Sequence, residues 1–179
     1  PMQFHNIALG AALFVSLLPY APAASAGDRP VKTQSTECDT MLNKAVARRV
    51  YEEGLSLGKF EVPYTDDFVG HGGATTFSHA DGVAEAKGWR SAFPDLKVNV
   101  DLIVAEDDLV SVRWTARGTN TGSGNGSPAT GKRVAVSGTT VFRFVDGAIA
   151  EEWTSGDALG LLKQLGLMPP PAASAAQTQ

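Results

Sequence analysis

The stretch KRVAVSGTTVFRFVDGAIAEEWT, residues 132–154, has the pattern of a β-hairpin. Apolar and polar side chains alternate on both sides of Asp146 and Gly147, and an Asp-Gly pair readily adopts the positive φ angles of a tight turn. Two more alternating stretches, residues 96–105 and 108–119, come before it and are joined by an acidic turn. The sequence therefore predicts four consecutive antiparallel strands.

Helical patterns precede these strands. Residues 37–60 are predicted to form a first helix, in which Leu42, Val46 and Val50 recur every four residues, and residues 78–96 a second one. Helices followed by a meander of strands indicate an α+β fold. We expect a cone-shaped, curved antiparallel sheet of about four to six strands, covered by the N-terminal helices. The glycine-rich residues 120–131 are predicted to form a flexible loop between two strands.

Composition excludes several classes of protein. The chain has 179 residues, a formal net charge of −4 and no run of basic residues, so a nucleic-acid partner is not expected. Cys38 is the single cysteine, which leaves no internal disulfide. The histidines and carboxylates show no recognisable metal-ligand spacing, and neither a metal nor another cofactor is predicted.

The chain is predicted to be processed at its N-terminus. Residues 1–26 contain a short uncharged apolar run that ends in small residues, which is typical of an export signal, although a buried helix is the alternative. Residues 27–36 and 169–179 are predicted to be a disordered leader and tail around a domain of residues 37–168. We therefore expect a periplasmic or secreted protein without a stable membrane anchor after processing.

Several short blocks occur in an order and spacing that resemble a known family. They are AFPDL (92–96), VRW (112–114), TGKRV (130–134), FRFVDGAI (142–149) and EEW (151–153). Together they resemble the SnoaL-like polyketide cyclases, also called ester cyclases, which have the nuclear transport factor 2-like fold. The resemblance covers nearly all of the predicted domain.

The resemblance implies an activity and its residues. Studied members of the family close a polyketide ring by an intramolecular aldol step, without metal or cofactor, using an acid–base aspartate on the last strand. That position falls on Thr154 here, and polar positions of the preceding strand fall on Gly138 and Thr140. Because threonine cannot act as a general base at neutral pH, the cyclase chemistry does not transfer intact.

Glu152 is the strongest candidate for a catalytic base. It shares a strand face with Thr154, and an apolar cavity would raise the pKa of its carboxyl group. The alternative is an ion pair with Arg113 or Arg143. His71 matches a histidine common in the resembling family and is predicted to relay a proton, unless it only bonds the backbone.

The remaining predicted site residues have supporting roles. Arg113 is predicted as an anion clamp, and ligand contacts are predicted for Trp89, Thr140, Phe142 and Thr154. Asp157 is predicted to cap the last helix.

Two functions remain open. The first is an exported, cofactor-independent enzyme of cyclase or isomerase type that acts on a small apolar carbonyl compound through His71 and Glu152. The second is a non-catalytic module that binds a small apolar ligand in the same cavity. In both cases Val141, Arg143 and Trp153 are predicted to lie on the outer sheet face, and a homodimer is predicted to form through that face.

Overall fold

A computed structural model describes residues 34–73 and 75–168. The predicted export signal, most of the predicted leader and the predicted tail lie outside the described residues. The elements, in chain order, are α1 (Gln34–Arg49), a π-helical segment (Val50–Leu55), β1 (Tyr64–Gly72), β2 (Thr75–Phe77), α2 (His79–Ala92), β3 (Lys97–Glu106), β4 (Leu109–Thr119), β5 (Arg133–Val145), β6 (Ala148–Gly156) and α3 (Ala158–Leu165).

The six strands form one mixed sheet in the order β2-β1-β6-β5-β4-β3. Strands β3 to β6 are the predicted antiparallel meander, and the β5–β6 hairpin turns at Asp146 and Gly147, both of which have positive φ. The prediction of an entirely antiparallel sheet is wrong at one place, because β1 pairs with β6 in parallel. Strand β1 reaches β6 by the long path through α2 and the meander, and a long connection permits parallel pairing.

One face of the sheet packs against the helices and forms the core. Val110, Val112, Phe142 and Ile149 on this inner face are fully buried. Along β4, the inner residues alternate with residues that face the opposite, outer side, as the period of a strand requires. The two faces of the sheet therefore differ in burial. A shift of one residue along a strand would move each of its side chains from one face to the other.

The buried face of α1 is shifted by one residue position along the chain from the predicted face. Asn43, Ala47 and Tyr51 are buried at intervals of four, whereas Leu42 is 58% exposed. The intervals of four are typical of one helical face, and both registers satisfy them. The helix therefore packs through the stripe that ends at Tyr51, and this brings the tyrosine ring onto the inner face of the sheet.

Tyr51 lies in the π-helical segment that continues α1. Such wider turns are uncommon and occur frequently at functional sites. The tyrosine ring packs against the rings of Trp114 and Phe142, with centroids 5.8 and 6.2 Å away. The π-helical segment therefore holds the end of α1 against β4 and β5.

Residues 120–131 form the predicted loop between β4 and β5, and hydrogen bonds attach this loop to α2. The side-chain amide of buried Asn120 donates a hydrogen bond to the carbonyl of Ala92, and that of Asn125 donates to the carbonyl of Glu85. A Cβ on Gly124 would lie 2.0 Å from a helix carbonyl oxygen, so only glycine permits this approach. The glycines thus serve close packing.

Both later helices begin with a side-chain cap. Ser78 and Asp81 form a reciprocal capping box at the start of α2. The Asp157 carboxylate accepts a hydrogen bond of 2.8 Å from the backbone N–H of Gly160 and caps α3. Among the helices within residues 34–73 and 75–168, none is long and apolar enough to cross a membrane.

Candidate active site

A cavity of about 770 Å³ lies between the inner sheet face, the π-helical segment, α2 and α3. This volume is in the range of small-molecule sites in proteins. Its wall is largely apolar, and its aromatic members are Tyr51, Phe60, Tyr64, Phe68, Phe77, Trp89, Phe93 and Trp114. The cavity can therefore hold an apolar molecule, whose orientation depends on the polar side chains in the wall.

Glu152 on β6 is one of these polar side chains. Across the sheet it pairs with Phe142 of β5 on one side and with Gly70 of β1 on the other. The ring of Phe77 covers Gly70 so closely that a Cβ there would lie 2.2 Å from it. Glu152 thus has an aromatic residue at each neighbouring sheet position, Phe142 on one side and Phe77 over Gly70 on the other.

Burial raises the pKa of Glu152 from its ordinary value of 4.5 to about 7, and the negative charge of Glu85 on α2 adds to this effect. Within the described part of the chain, no cation and no hydrogen-bond donor pairs with the Glu152 carboxylate. Arg143, which was a possible ion-pair partner, binds Glu151 at 3.0 Å instead. Glu152 is therefore a desolvated acid that can gain and lose a proton near neutral pH.

A hydrogen-bonded network of four side chains lies beside Glu152. The Tyr51 hydroxyl donates to Oγ1 of fully buried Thr140 at 2.5 Å, and the indole Nε1 of Trp114 donates to the same oxygen at 3.2 Å. Thr140 Oγ1 lies 2.7 Å from Oγ1 of Thr154, which lines the cavity. The network thus connects the core to the cavity wall.

Two features of the chain permit this network. Burial, with a contribution from the charge of Glu152, raises the pKa of Tyr51 well above its ordinary value, so the phenol stays protonated and remains a donor. Gly138 leaves space for the indole of Trp114, since a Cβ there would lie 2.3 Å from the ring. Gly138 therefore gives the tryptophan access to Thr140.

His71 does not belong to this site, and its predicted pairing with Glu152 is wrong. In the parallel β1–β6 register His71 lies opposite Trp153, on the outer face, and the two rings stack 5.2 Å apart. Its Nε2 is 2.9 Å from Glu151, which also binds Arg143. His71 is thus part of a polar cluster on the other side of the sheet from Glu152.

Arg113 also lies on the outer face, so its predicted role as an anion clamp is wrong. It is exposed, while its neighbours Val112 and Trp114 face inward. Thr140 and Phe142 are on the inner face but lie behind the cavity wall, and neither one lines the cavity. The structure therefore places them as support for the site.

Three of the predicted residues do line the cavity, namely Trp89, Glu152 and Thr154. The Trp89 indole N–H donates a hydrogen bond of 3.1 Å to the carboxylate of Glu85, which fixes an acid near the cavity mouth. These residues supply the wall with one base candidate, one hydroxyl and one large aromatic surface.

Several residues that line the cavity were not assigned to the site from the sequence, among them Tyr51, His79, Glu85, Trp114 and Arg117. His79 lines the cavity and stacks on Tyr64 with ring centroids 4.1 Å apart. Trp114 lies on the apolar side of β4, but alternation alone does not show which way that side faces. For Tyr51 and Glu85 the sequence carries no signal beyond a helical pattern.

The arrangement is suited to proton transfer on an apolar molecule. It combines a carboxyl group with a pKa near neutrality, a hydroxyl two residues further along the same strand, and a desolvated wall. Within residues 34–73 and 75–168 no group of three or more His, Cys, Asp or Glu side chains could hold a metal ion.

The profile of the SnoaL-like polyketide cyclase family matches residues 45–165. None of the curated proteins matches the chain. Among solved structures, AclR of Streptomyces galilaeus, which is assigned as a hydroxylase, is 30% identical, with a TM-score of 0.59 over 78% of this chain and 85% of AclR.

Two other solved structures are assigned as polyketide cyclases. IdmH of Streptomyces antibioticus is 30% identical, with a TM-score of 0.59 over 69% of this chain and 98% of IdmH. A SnoaL-like protein of Jannaschia sp. CCS1 is 24% identical, with a TM-score of 0.65 over 73% of this chain and 95% of its own. The last likeness shows the fold alone. The architecture is thus the nuclear transport factor 2-like one, and the fold prediction is confirmed.

Proposed function

Since this chain belongs to the SnoaL-like polyketide cyclase family, we propose that it is an enzyme that moves protons on a small apolar carbonyl compound. Glu152 acts as the base and then as the acid, and the apolar cavity holds the substrate. The single observation that carries this proposal is the position of Glu152, whose carboxylate lies in the wall of an aromatic cavity without a cationic partner among the described residues.

The reaction requires two proton movements. The Glu152 carboxylate removes a proton from the carbon next to the substrate carbonyl, and the electron pair of the broken C–H bond forms an enolate. In a cyclase, the enolate carbon bonds to a second carbonyl carbon of the same molecule, and protonated Glu152 returns the proton to the new alkoxide. In an isomerase, the proton returns to a different carbon. Both courses restore the carboxylate.

A pair of adjacent carboxylates provides the test. Glu152→Gln keeps the shape and removes the base, so turnover of a screened diketone should fall by about two to four orders of magnitude. Glu151→Gln, the matched control, changes the neighbouring carboxylate on the outer face and should leave the rate within a few-fold. Turnover by Glu152→Gln at the parental rate would refute the proposal.

A binding function is the second candidate, and the threonine at position 154 favours it. The family's aspartate is absent there, and the neighbouring apolar cavity could hold a ligand without chemistry. In that case no diketone of the screen is turned over, and the affinity for apolar molecules follows substitutions of wall residues such as Trp89→Ala. Affinity that survives such substitutions would exclude this candidate.

We also propose that the protein acts outside the cytoplasm, on the evidence of the sequence of residues 1–26 alone. The mature chain should begin near Gly27. Mass spectrometry of the protein isolated from its own host measures this directly, and an intact N-terminus in a cytosolic fraction would contradict it.

A further inference from the structure

We propose that Thr154 is a catalytic hydrogen-bond donor, whose hydroxyl binds the carbonyl oxygen of the substrate beside Glu152. Tyr51, Trp114 and Thr140 are positioning residues that direct the proton of this hydroxyl into the cavity. The proposal rests on the proposed function only in taking the ligand to be a carbonyl compound.

The bonding capacity of the Thr140 hydroxyl determines the direction of its hydrogen bonds. A hydroxyl group has one proton to donate and two lone pairs that accept. The oxygen of Thr140 accepts from the Tyr51 hydroxyl and from the Trp114 indole, and an indole N–H can only donate. Both lone pairs are then used, so the third contact, to Thr154, must be formed with the proton of Thr140 itself.

The direction of this bond determines what Thr154 can do. Because the Thr154 oxygen accepts a hydrogen bond from the Thr140 hydroxyl, the proton of Thr154 is not needed within the network. Among the described residues its side chain forms no other hydrogen bond, and it lines the cavity. The free proton is thus available to a ligand that binds in the cavity beside Glu152.

The position of Thr154 relative to Glu152 agrees with this role. Glu152 and Thr154 lie two residues apart on the same face of β6, so their Cα atoms are about 6.6 Å apart. Both side chains line the cavity. A carbonyl oxygen bound at Thr154 would leave the adjacent carbon within reach of the Glu152 carboxylate. One substrate group would then meet a donor and a base together.

The donor would act most strongly on the enolate. Negative charge builds up on the carbonyl oxygen as the proton leaves carbon, and a fixed donor in a desolvated site stabilises that charge. Loss of one such donor typically lowers kcat by about 10²- to 10³-fold. Threonine at this position thus has a function of its own, as a neutral donor.

The test observes the hydrogen bond directly, without turnover. The probe is 2-acetylnaphthalene with a ¹³C-labelled carbonyl, and the readout is the infrared carbonyl stretch of the bound ketone. The stretch should lie at lower frequency in the parent protein and in Thr154→Ser, and return towards the value of an unbonded ketone in Thr154→Val. Affinity should fall about two- to tenfold in the valine variant.

A second variant tests the network. Tyr51→Phe removes one donor to Thr140, so Thr140 can accept the proton of Thr154, and the carbonyl shift should weaken although Thr154 is unchanged. The control is Thr139→Val, an exposed threonine beside Thr140 that faces the outer side, which should leave the shift intact. A shift that is unaffected by Tyr51→Phe would overturn the positioning role.

The outcomes separate this inference from the proposed function. If Glu152→Gln abolishes turnover while the carbonyl shift depends on Thr154, both hold. If no substrate is turned over but the shift of the carbonyl stretch still depends on Thr154, the hydrogen bond from Thr154 is supported and the enzyme proposal is refuted. If the ketone does not bind, or its stretch is the same in the parent and Thr154→Val, the donor proposal is refuted.

Discussion

Replacement of Glu152 by glutamine should stabilise the protein, and the gain should increase with pH. The pKa of this carboxyl group is about 7 in the folded protein and 4.5 in an ordinary setting. The folded state therefore binds a proton more tightly than the unfolded state does. Stability from this group is fully present below pH 4.5 and is lost as pH rises through 7.

The size of the effect follows from these two pKa values. Each pH unit between them corresponds to about 1.36 kcal/mol, so ionised Glu152 costs the folded state about 3 kcal/mol above neutrality. At pH 5 most of this cost is absent, because the folded protein still holds the proton. The free energy of unfolding of Glu152→Gln minus that of the parent should thus grow by about 2–3 kcal/mol between about pH 5 and pH 8.5.

Urea unfolding at several pH values measures this difference, since the midpoint and slope give the free energy at each pH. Glu151→Gln is the control of opposite sign. Hydrogen bonds from His71 and Arg143 lower the pKa of Glu151, so its contribution to stability is present above its unfolded pKa and lost on acidification. A difference between parent and Glu152→Gln that does not change with pH would refute the claim that Glu152 is desolvated.

Three further predictions follow from the geometry. Glu85→Gln removes a like charge, so the pKa of Glu152 should fall towards 4.5. ¹³C NMR titration of the Glu152 carboxyl group measures this pKa, and the other titratable groups that line the cavity are Tyr51, Tyr64, His79 and Arg117. An unchanged midpoint would contradict the reasoning. Gly138→Ala should cost about 1–3 kcal/mol in urea unfolding, because its Cβ overlaps the tryptophan ring, and parental stability would contradict this. We also expect a homodimer through the outer face, where Trp153 is 39% exposed. Sedimentation should give a dimer mass at micromolar concentration, and a monomer mass would contradict it.

The meander could be predicted from the sequence because its signals are local. Alternation and the Asp-Gly turn define β5 and β6 together with their register, and this register also places Glu152 and Thr154 on one face. The pattern of residues 78–96 likewise identifies α2, which ends at Ala92. Each of these inferences depends on residues that are close in the chain.

The errors arise where distant segments meet. His71 was assigned to the site because it matches a histidine common in the resembling family, but the sheet face that it occupies depends on the register of β1 against β6, which local pattern does not contain. Arg113 was assigned without knowing which face of β4 is inward. The buried face of α1 was predicted one residue too early, because Leu42 is more apolar than Asn43. In the structure Asn43 is the residue that is buried.

The parallel pairing of β1 with β6 has a consequence for the order of folding. Hairpins of β3 to β6 close short loops, whereas the contact between His71 and Glu151 closes a separation of 80 residues. Longer loops lose more chain entropy on closure and slow the contacts that depend on them. The meander can therefore assemble first, and the β1 side of Glu152 is covered only when β1 has docked against β6. Until then the carboxylate remains hydrated, so its acidity becomes unusual only in the final stage of folding.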